Sequence, residues 1–400
     1  MRTGLNLQVH EEGVSLSASQ NNFTFLLIRP QEESLVFHKP VEPDPATAKL
    51  AWRKAIEESH AHLRLGVIVD VLAASSGWVD TGVDLALGEE VSLFSVGTVW
   101  LAKSLGVGLN GATALWYRIG RGSVAKSVGT TTSFRAEGAG HLQLIAKPPG
   151  EWRDTRGNFE PDYPHEGAEG GLSVAVLIWT TTAKDGLAHF RKQDASGCAA
   201  REIGRLADPP LLAKGWQHLW QLGETRIFRA EAGGKEPARI CCYSCRDAGI
   251  LQYPVDVPLD RSTRLSWAWR ADELPSRLRE DSLPTHDYFS IAVQFENGRD
   301  LTYMWSAALP EGKVFACPLP WWDKRETHQV VRSDLAKLGI WLDEEQAILS
   351  DYERAIGGQP PKRITAVWLI AVSIFQKRKG TCSFARIKLK TDSGEIFIGP

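Results

Sequence analysis

The residues best suited to acid–base chemistry lie in the second half of the chain, at 285–288. His286 and Asp287 follow a polar loop and lead into the strand YFSIAVQFE, and loops at strand ends are where scaffolds present reactive groups. Tyr303 follows on the next predicted strand, with Arg332 further along. These groups could act as base, acid and anion stabiliser in a cofactor-independent hydrolase, lyase or isomerase. The alternative is a structural salt bridge between Asp287 and Arg332.

Tryptophans are frequent, with 15 in the chain. Trp267 and Trp269 are two positions apart on one predicted strand and therefore share a face, and Trp305 follows Tyr303 at the same spacing. A flat face of indoles could stack on a sugar ring or another planar ligand. The alternative is that these rings form a sandwich core, because alternating large residues usually point inward.

A second pair of tryptophans is adjacent in sequence. Trp321 and Trp322 lie between Pro320 and a charged run that includes Lys324. Neighbouring residues of a strand point to opposite faces, so at least one of these indoles is expected to be exposed or to line a cleft. We therefore predict ligand contacts from Trp321, Trp322 and Lys324.

The sequence predicts neither a metal site nor a cofactor. Cys242 and Cys245 would point to opposite faces of a strand, and no second Cys or His pair at zinc-binding spacing accompanies them. Glycines at 106–111 fit the spacing of a dinucleotide-binding loop, but they open no predicted helix and are interpreted as a turn.

Charge and hydropathy limit the partners. Lys and Arg total 46 against 48 Asp and Glu, a net charge of −2, which argues against nucleic acid or an anionic membrane as the main partner. The longest apolar run, 364–375, is shorter than the roughly 20 residues that span a bilayer and is expected to be a buried strand. With no apparent secretory signal, the protein is expected in the cytoplasm, and a homo-oligomer is left open.

The pattern of the whole chain predicts a mainly-β protein with two β-sandwich domains and a few isolated helices. Short apolar strands separated by glycine-bearing turns are typical of sandwiches and barrels. One helix is expected to begin at Pro45 after an Asp44 cap, and another to run from Glu344 to Ile356. The expected domains are N-terminal strands with a helix (1–64), a first sandwich (65–190), a connector (191–204) and a second sandwich (205–400).

The first sandwich carries GWVDTGVDLALGEEVSLFSVGTVW, then ALWYRIG, then GHLQLIAKPPGEWRDTRGNF. These segments resemble the galactophilic PA-I-type lectin family, and the resemblance implies a small jelly roll over roughly 66–180. The matching positions are Trp78, Asp80, Thr81, Gly82, Leu115, Ile119, Gly120, Gly150, Trp152, Asp154, Gly157 and Phe159.

That family binds calcium in the turn that corresponds to PPGEWRDT here. At the matching places this chain has Lys147, Glu151, Asp154 and Thr155, so a positive charge replaces the first carboxylate. The family's sugar-contacting His-x-x-Gln pair has no counterpart in the loop before Ala114. The resemblance therefore implies a retained scaffold that has lost its metal and galactose functions, with a degenerate calcium site near Glu151 and Asp154 left open.

The second sandwich begins with LSWAWRADELP, residues 265–275, which resembles the LSWRWRVDELP of an uncharacterised bacterial family. The resemblance covers about 205–390 and implies another β-sandwich of the galactose-binding type, without an assigned activity. This chain departs from the family at Ala292, where an arginine is usual, and at 371–374, where an acidic stretch is usual.

Three functions follow from these observations. The first is a soluble two-sandwich protein that binds a carbohydrate or another small molecule in a tryptophan-lined pocket of the second domain. The second is an enzyme that uses the same pocket. The third is an assembly protein whose N-terminal strands pair across a dimer.

Overall fold

The computed structural model describes residues 43–103, 107–159, 168–277, 279–281, 288–319, 322–333, 335–374 and 379–400, together with the backbone of two N-terminal strands. The protein is mainly β. The described residues divide into two compact units. Unit 1 comprises 5–18, 43–209 and 220–224, and unit 2 comprises 210–219 and 225–400.

The described part of unit 1 contains a hairpin, two larger antiparallel sheets and four helices. The larger sheets have the strand orders β4-β10-β7-β8 and β3-β11-β5-β6, and β9 also pairs with β5. The elements are β1 (Leu5–His10), β2 (Gly13–Ala18), α1 (Pro45–Glu58), β3 (Leu63–Leu72), β4 (Val79–Leu85), β5 (Glu90–Ala102), β6 (Val107–Leu109), α2 (Gly111–Ala114), β7 (Leu115–Ile119), β8 (Ala125–Lys126), β9 (Thr131–Arg135), β10 (Gly140–Ala146), β11 (Glu169–Trp179), α3 (Ala183–Phe190) and α4 (Cys198–Ala207).

Helices α1, α3 and α4 of unit 1 cover one face of the β3-β11-β5-β6 sheet. Asp44 caps α1 by accepting hydrogen bonds from the backbone of Ala46 and Thr47, as the sequence predicts, and the buried Trp52 anchors the helix. Helices α3 and α4 add buried residues to the same cluster. The segment expected to be a connector, 191–204, therefore contains most of a packed helix, because its apolar side chains find this sheet.

The described part of unit 2 is a sandwich of a seven-stranded and a six-stranded sheet. Their orders are β12-β15-β22-β17-β18-β20-β19 and β13-β14-β23-β16-β21, and β24 also pairs with β23. The elements are β12 (Gln217–His218), β13 (Phe228–Glu231), β14 (Arg239–Cys245), β15 (Ala248–Pro258), β16 (Arg264–Glu273), β17 (Phe289–Phe295), β18 (Asp300–Trp305), β19 (Val314–Ala316), β20 (Glu326–Arg332), β21 (Leu342–Ala347), α5 (Ile348–Ala355), β22 (Arg363–Val372), β23 (Lys379–Thr391) and β24 (Gly394–Phe397).

The long apolar run forms the middle of the larger sheet. Strand β22 lies between β15 and β17, and most of its side chains are buried, as expected for this part of the sequence. Among the described residues, no helix is both long and apolar enough to cross a bilayer.

The predicted helix over 344–356 begins later than expected. Residues 342–347 form β21, which pairs with β16 so that Glu344 lies opposite Trp267, and α5 begins only at Ile348. The helical spacing of Ile348 and Tyr352 is real, and both are buried. The first residues of the expected helix instead complete the edge of the six-stranded sheet, where Glu344 has partners that a helix would not offer.

Candidate functional site

Two of the four predicted catalytic residues, His286 and Asp287, lie outside the described residues. Tyr303 is fully buried on β18, and its hydroxyl donates to Asp351 Oδ2 at 3.1 Å. Burial, followed by the negative charge of Asp351, raises the pKa of Tyr303 far above its ordinary value. Tyr303 is thus a structural hydrogen-bond donor in the sandwich interior, and the expected role as a ligand-facing acid is not retained.

Arg332, the fourth predicted catalytic residue, lies in a structural ion pair. Its Nε donates to Glu344 Oε1 at 2.6 Å and its Nη2 to Glu344 Oε2 at 2.9 Å, while Nη1 is 3.7 Å from Glu311. The indole of Trp269 donates to the same Glu344 at 3.0 Å. The hydrogen bonds that Arg332 donates to Glu344 raise the pKa of its guanidinium group. The alternative considered for Arg332 was a structural salt bridge with Asp287. The structure shows a salt bridge of Arg332 with Glu344.

The three tryptophans expected to stack on a ligand belong to the core. Trp267, Trp269 and Trp305 are at most 1% exposed. The Trp267 and Trp269 rings meet edge to face with centroids 5.5 Å apart, and Trp269 lies 5.5 Å from Trp305. Because both sheets cover these indoles, no sugar can reach them. The expected ligand-binding face is therefore wrong, and the alternative, a sandwich core, is what the structure shows.

The second predicted pair is described only in part. Trp321 lies outside the described residues, whereas Trp322 is half-buried with the Arg325 guanidinium carbon 4.5 Å from its ring centroid. Lys324 is exposed. Ligand contacts from Trp321, Trp322 and Lys324 stay a prediction.

Another half-exposed tryptophan lies on the outer face of the six-stranded sheet. Residues 265, 267, 269 and 271 of β16 point inward, so Arg270 points outward, and the outward residues opposite it are Ser383 on β23 and then Cys241 on β14. The β13–β14 loop and the residue before β21 complete this surface. We call it the indole–arginine face, and its members are Glu231, Glu236, Arg239, Arg270, Asp272, Trp341, Asp343 and Arg386.

Trp341 is the centre of the indole–arginine face. Its Nε1 donates to Glu236 Oε2 at 2.6 Å, and the guanidinium carbons of Arg270 and Arg386 lie 5.4 and 6.0 Å from its ring centroid. The hydrogen bond from Trp341, together with the charges of Arg270 and Arg239, lowers the pKa of Glu236. The indole therefore has a fixed orientation while it stays half-exposed.

Each arginine of the indole–arginine face is paired with a carboxylate. Arg270 Nε lies 3.0 Å from Asp272 Oδ1, and its Nη1 lies 3.3 Å from Glu236 Oε2. The other two pairs are Arg239 with Glu231 at 2.5 Å and Arg386 with Asp343 at 2.8 Å. Three guanidinium groups thus pair with four carboxylates. This face therefore carries charged groups of both signs without an excess of positive charge.

Sequence reasoning missed this face because its parts are distant along the chain. Trp341 and Glu236 are separated by 105 residues, so no spacing connects them. Trp341 follows the exposed Ile340 and lies just before the segment that was predicted to form a helix from Glu344. The available signal was that Trp341, unlike Trp267 and Trp269, does not alternate with other apolar residues.

The turn of unit 1 that was compared with a calcium site has internal partners. Lys147 is buried, and its Nζ donates to the Ala73 carbonyl at 3.3 Å. Burial lowers the pKa of Lys147, and the nearby Glu151 opposes that shift. Asp154 accepts from the Asn158 amide at 2.8 Å and from the Arg156 backbone at 3.0 Å. Among the described residues, no group of three or more His, Cys, Asp or Glu side chains could hold a metal ion.

Comparison with known proteins adds a family match in unit 2. Residues 215–388 match the model of DUF3047, a protein family of unknown function. This agrees with the resemblance of the C-terminal half to an uncharacterised family. No curated protein sequence is similar to the chain.

Among the solved structures that are similar to part of the chain, two have described functions. One, described as the EclA N-terminal domain, a PllA-like lectin, is 18% identical, with 30% of this chain and 98% of that chain covered and a TM-score of 0.22. The other is the xyloglucanase domain of NopAA, a type three effector from Sinorhizobium fredii, in complex with cellobiose. It is 9% identical, with 45% of this chain and 93% of that chain covered and a TM-score of 0.27.

Proposed function

We propose that the chain is a carbohydrate-binding protein that holds a neutral glycan on the indole–arginine face of unit 2. The observation that supports this proposal is the half-exposed indole of Trp341, oriented by Glu236 and flanked by Arg270. An indole offers an apolar surface for the C–H face of a sugar ring, and neighbouring polar side chains can bind the hydroxyls at the ring edge.

The paired charges favour a neutral ligand over an acidic one. A guanidinium or carboxylate that already has one partner keeps further donor or acceptor positions, and adjacent sugar hydroxyls can use two of them at once. An acidic glycan would need a guanidinium without a carboxylate beside it, whereas Arg239, Arg270 and Arg386 each have one. The proposed ligand class is therefore an uncharged oligosaccharide or glycoconjugate.

The test is a glycan array followed by calorimetry with the best neutral glycan. Trp341→Ala removes the stacking surface and is expected to lower the affinity for the glycan at least tenfold, because aromatic residues at the centre of a binding site contribute much of the binding free energy. Phe397→Ala is the matched control, since Phe397 is an aromatic residue of the same unit, 72% exposed, outside the indole–arginine face. Its affinity should equal that of the wild type.

Two outcomes would overturn the proposal. One is wild-type affinity in a folded Trp341→Ala protein, with folding checked by circular dichroism. The other is the absence of neutral glycans among the ligands of the array. A loss of affinity in Trp322→Ala instead would move the site to the second predicted tryptophan pair.

A further inference from the structure

Tyr243 is an exposed aromatic residue of β14, in the same sheet as the indole–arginine face. Residues 240, 242 and 244 of this strand are buried, and Ile240 and Cys242 belong to the core of unit 2. Because side chains alternate along a strand, Tyr243 points to the outer surface, and it is 56% exposed. The outer surface of this sheet therefore carries Tyr243 in addition to the half-exposed Trp341.

The strand pairing places Tyr243 next to the indole–arginine face but several strands away from its tryptophan. Arg270, which is beside Trp341, lies opposite Ser383 on β23. Tyr243 lies opposite Thr381, two positions before Ser383 and on the same face of β23. Trp341 directly precedes β21, and β21, β16, β23 and β14 are consecutive in the sheet, so roughly 14 Å separates the two aromatic residues. This separation is wider than a single sugar ring.

Short polar side chains lie between the two aromatic residues. Strand β23 presents Thr381 and Ser383 there, and the Ser383 hydroxyl donates to Cys241 Sγ at 3.6 Å. Ser383 is buried beside its neighbours, whereas Thr381 is half-buried. Because these side chains of β23 are short, an extended ligand can cross the strand close to the sheet and reach Tyr243 from Trp341.

The charged groups beside this part of β23 are paired with each other. Arg270 Nε lies 3.0 Å from Asp272 Oδ1, and Lys379 Nζ lies 3.0 Å from Glu273 Oε2. The two carboxylates and the ammonium group are partly exposed and keep positions for further hydrogen bonds, so they can bind hydroxyls along an uncharged chain. These ion pairs therefore favour the same neutral class of ligand as the groups around Trp341.

We infer that Tyr243 is a second stacking residue for the glycan, and that the ligand is a linear neutral oligosaccharide that crosses β16, β23 and β14. This inference rests on the proposed function, because Trp341 holds one end of the oligosaccharide. Tyr243 stacks on a sugar ring further along the same chain. A ligand that is already held at one end makes the second contact at an effectively high local concentration. The affinity should therefore rise with chain length until the oligosaccharide reaches Tyr243.

Calorimetry with sugars of increasing length tests this inference. The probes are the neutral homo-oligosaccharides of glucose, mannose, galactose and xylose, from the disaccharide to the hexasaccharide. In each series that binds the wild type, Tyr243→Ala should lower the affinity for the hexasaccharide roughly fivefold or more, because the second stacking contact is lost. The affinity for the disaccharide should stay unchanged. Tyr243→Phe is the matched control, since it keeps the aromatic ring and should bind the hexasaccharide with nearly wild-type affinity.

Trp341→Ala separates a failure of this inference from a failure of the proposed function. It should weaken the binding of both the disaccharide and the hexasaccharide. If it does so while Tyr243→Ala binds the hexasaccharide like the wild type, the second stacking residue is wrong and the proposed function stands. An equal loss for both lengths in Tyr243→Ala would also contradict the inference. If no series binds the wild type, or neither alanine variant changes the affinity, both proposals are wrong.

Two cysteines of β14 provide a footprint of the bound oligosaccharide. Cys241 is half-buried on the Trp341 side of Tyr243, and Cys245 is exposed on its far side. The hexasaccharide that binds in calorimetry should slow the alkylation of Cys241 by iodoacetamide and leave the alkylation of Cys245 unchanged. Fragmentation of the tryptic peptide 240–246 by mass spectrometry measures both thiols at once. Equal alkylation of Cys241 with and without the hexasaccharide would contradict a ligand that crosses β23 to Tyr243.

Discussion

Glu280 is a fully buried carboxyl group that accepts hydrogen bonds from neutral donors. It accepts hydrogen bonds from the Ser306 hydroxyl at 2.6 Å and from the Ala307 backbone at 2.7 Å, which fixes the segment after β16 against the turn after β18. Burial outweighs these two hydrogen bonds and raises the pKa of Glu280 to about 7.

The raised pKa predicts that stability falls as pH rises through this range. The unfolded carboxyl loses its proton near pH 4.5 and the folded one near 7, so ionisation favours the unfolded state between these values. Because each unit of pKa shift corresponds to about 1.4 kcal/mol, the free energy of unfolding should decrease by about 3 kcal/mol across this window. Urea denaturation between pH 4.5 and 8 should show this slope in the wild type and a flatter one in Glu280→Gln. Identical slopes would contradict the assignment.

Glu344 is the residue on which Trp269 and Arg332 both depend. Glu344→Ala would leave a buried indole N–H without an acceptor and remove the bidentate partner of the guanidinium. We expect a loss of roughly 2 to 4 kcal/mol in the free energy of unfolding, measured by urea denaturation. Glu345→Ala is the control and should cost much less, because this next carboxylate on the strand is exposed and pairs with the surface residue Lys390.

At the level of elements, local patterns predicted most strands and the capped helix α1. Alternation along β16 correctly placed Trp267 and Trp269 on one face, but alternation cannot tell which face of a sandwich strand is the inner one. That depends on the opposite sheet, here on Tyr303 and Trp305 of β18. The start of α5 was missed for a similar reason, since pairing with β16 and the contacts of Glu344 outweigh the helical preference of the DEEQA segment.

The indole–arginine face shows what local patterns cannot supply. Its tryptophan and its carboxylate come from separate loops, and only the pairing of β14, β23 and β16 brings those loops together. Sequence analysis assigned ligand stacking to other indoles: Trp267 and Trp269 on the inner side of the same sheet, Trp305 on the facing sheet, and the pair Trp321 and Trp322.

The turn at 147–158 gives a prediction for metal removal. The buried Lys147 ammonium donates to the Ala73 carbonyl with the charge of Glu151 nearby, and Asp154 accepts hydrogen bonds within its own turn. We therefore expect that the structure of this element does not depend on a divalent cation. The melting temperature measured by differential scanning fluorimetry should be the same in 5 mM calcium and in excess chelator. A rise of several degrees with calcium would show that a cation binds the folded state and would contradict this prediction.

For the molecule as a whole, the balanced charge of the chain matches the paired charges of the proposed binding surface. Unit 2 presents its aromatic and polar groups on an outer sheet face, whereas its inner faces form one continuous core of large side chains. Binding of a neutral glycan to such a surface should change little between 50 and 500 mM salt, because no net charge is neutralised. Calorimetry at the two salt concentrations would measure this. An affinity that falls steeply with salt would favour an anionic ligand.

Hydrogen–deuterium exchange with and without the neutral glycan selected by the array locates the ligand most directly. We expect bound glycan to slow exchange in the loop at 232–238 and in the segment at 338–343, which carry Glu236 and Trp341, and to leave exchange at 319–325 unchanged. Slower exchange confined to 319–325 or to unit 1, with no change around Trp341, would contradict binding at the indole–arginine face.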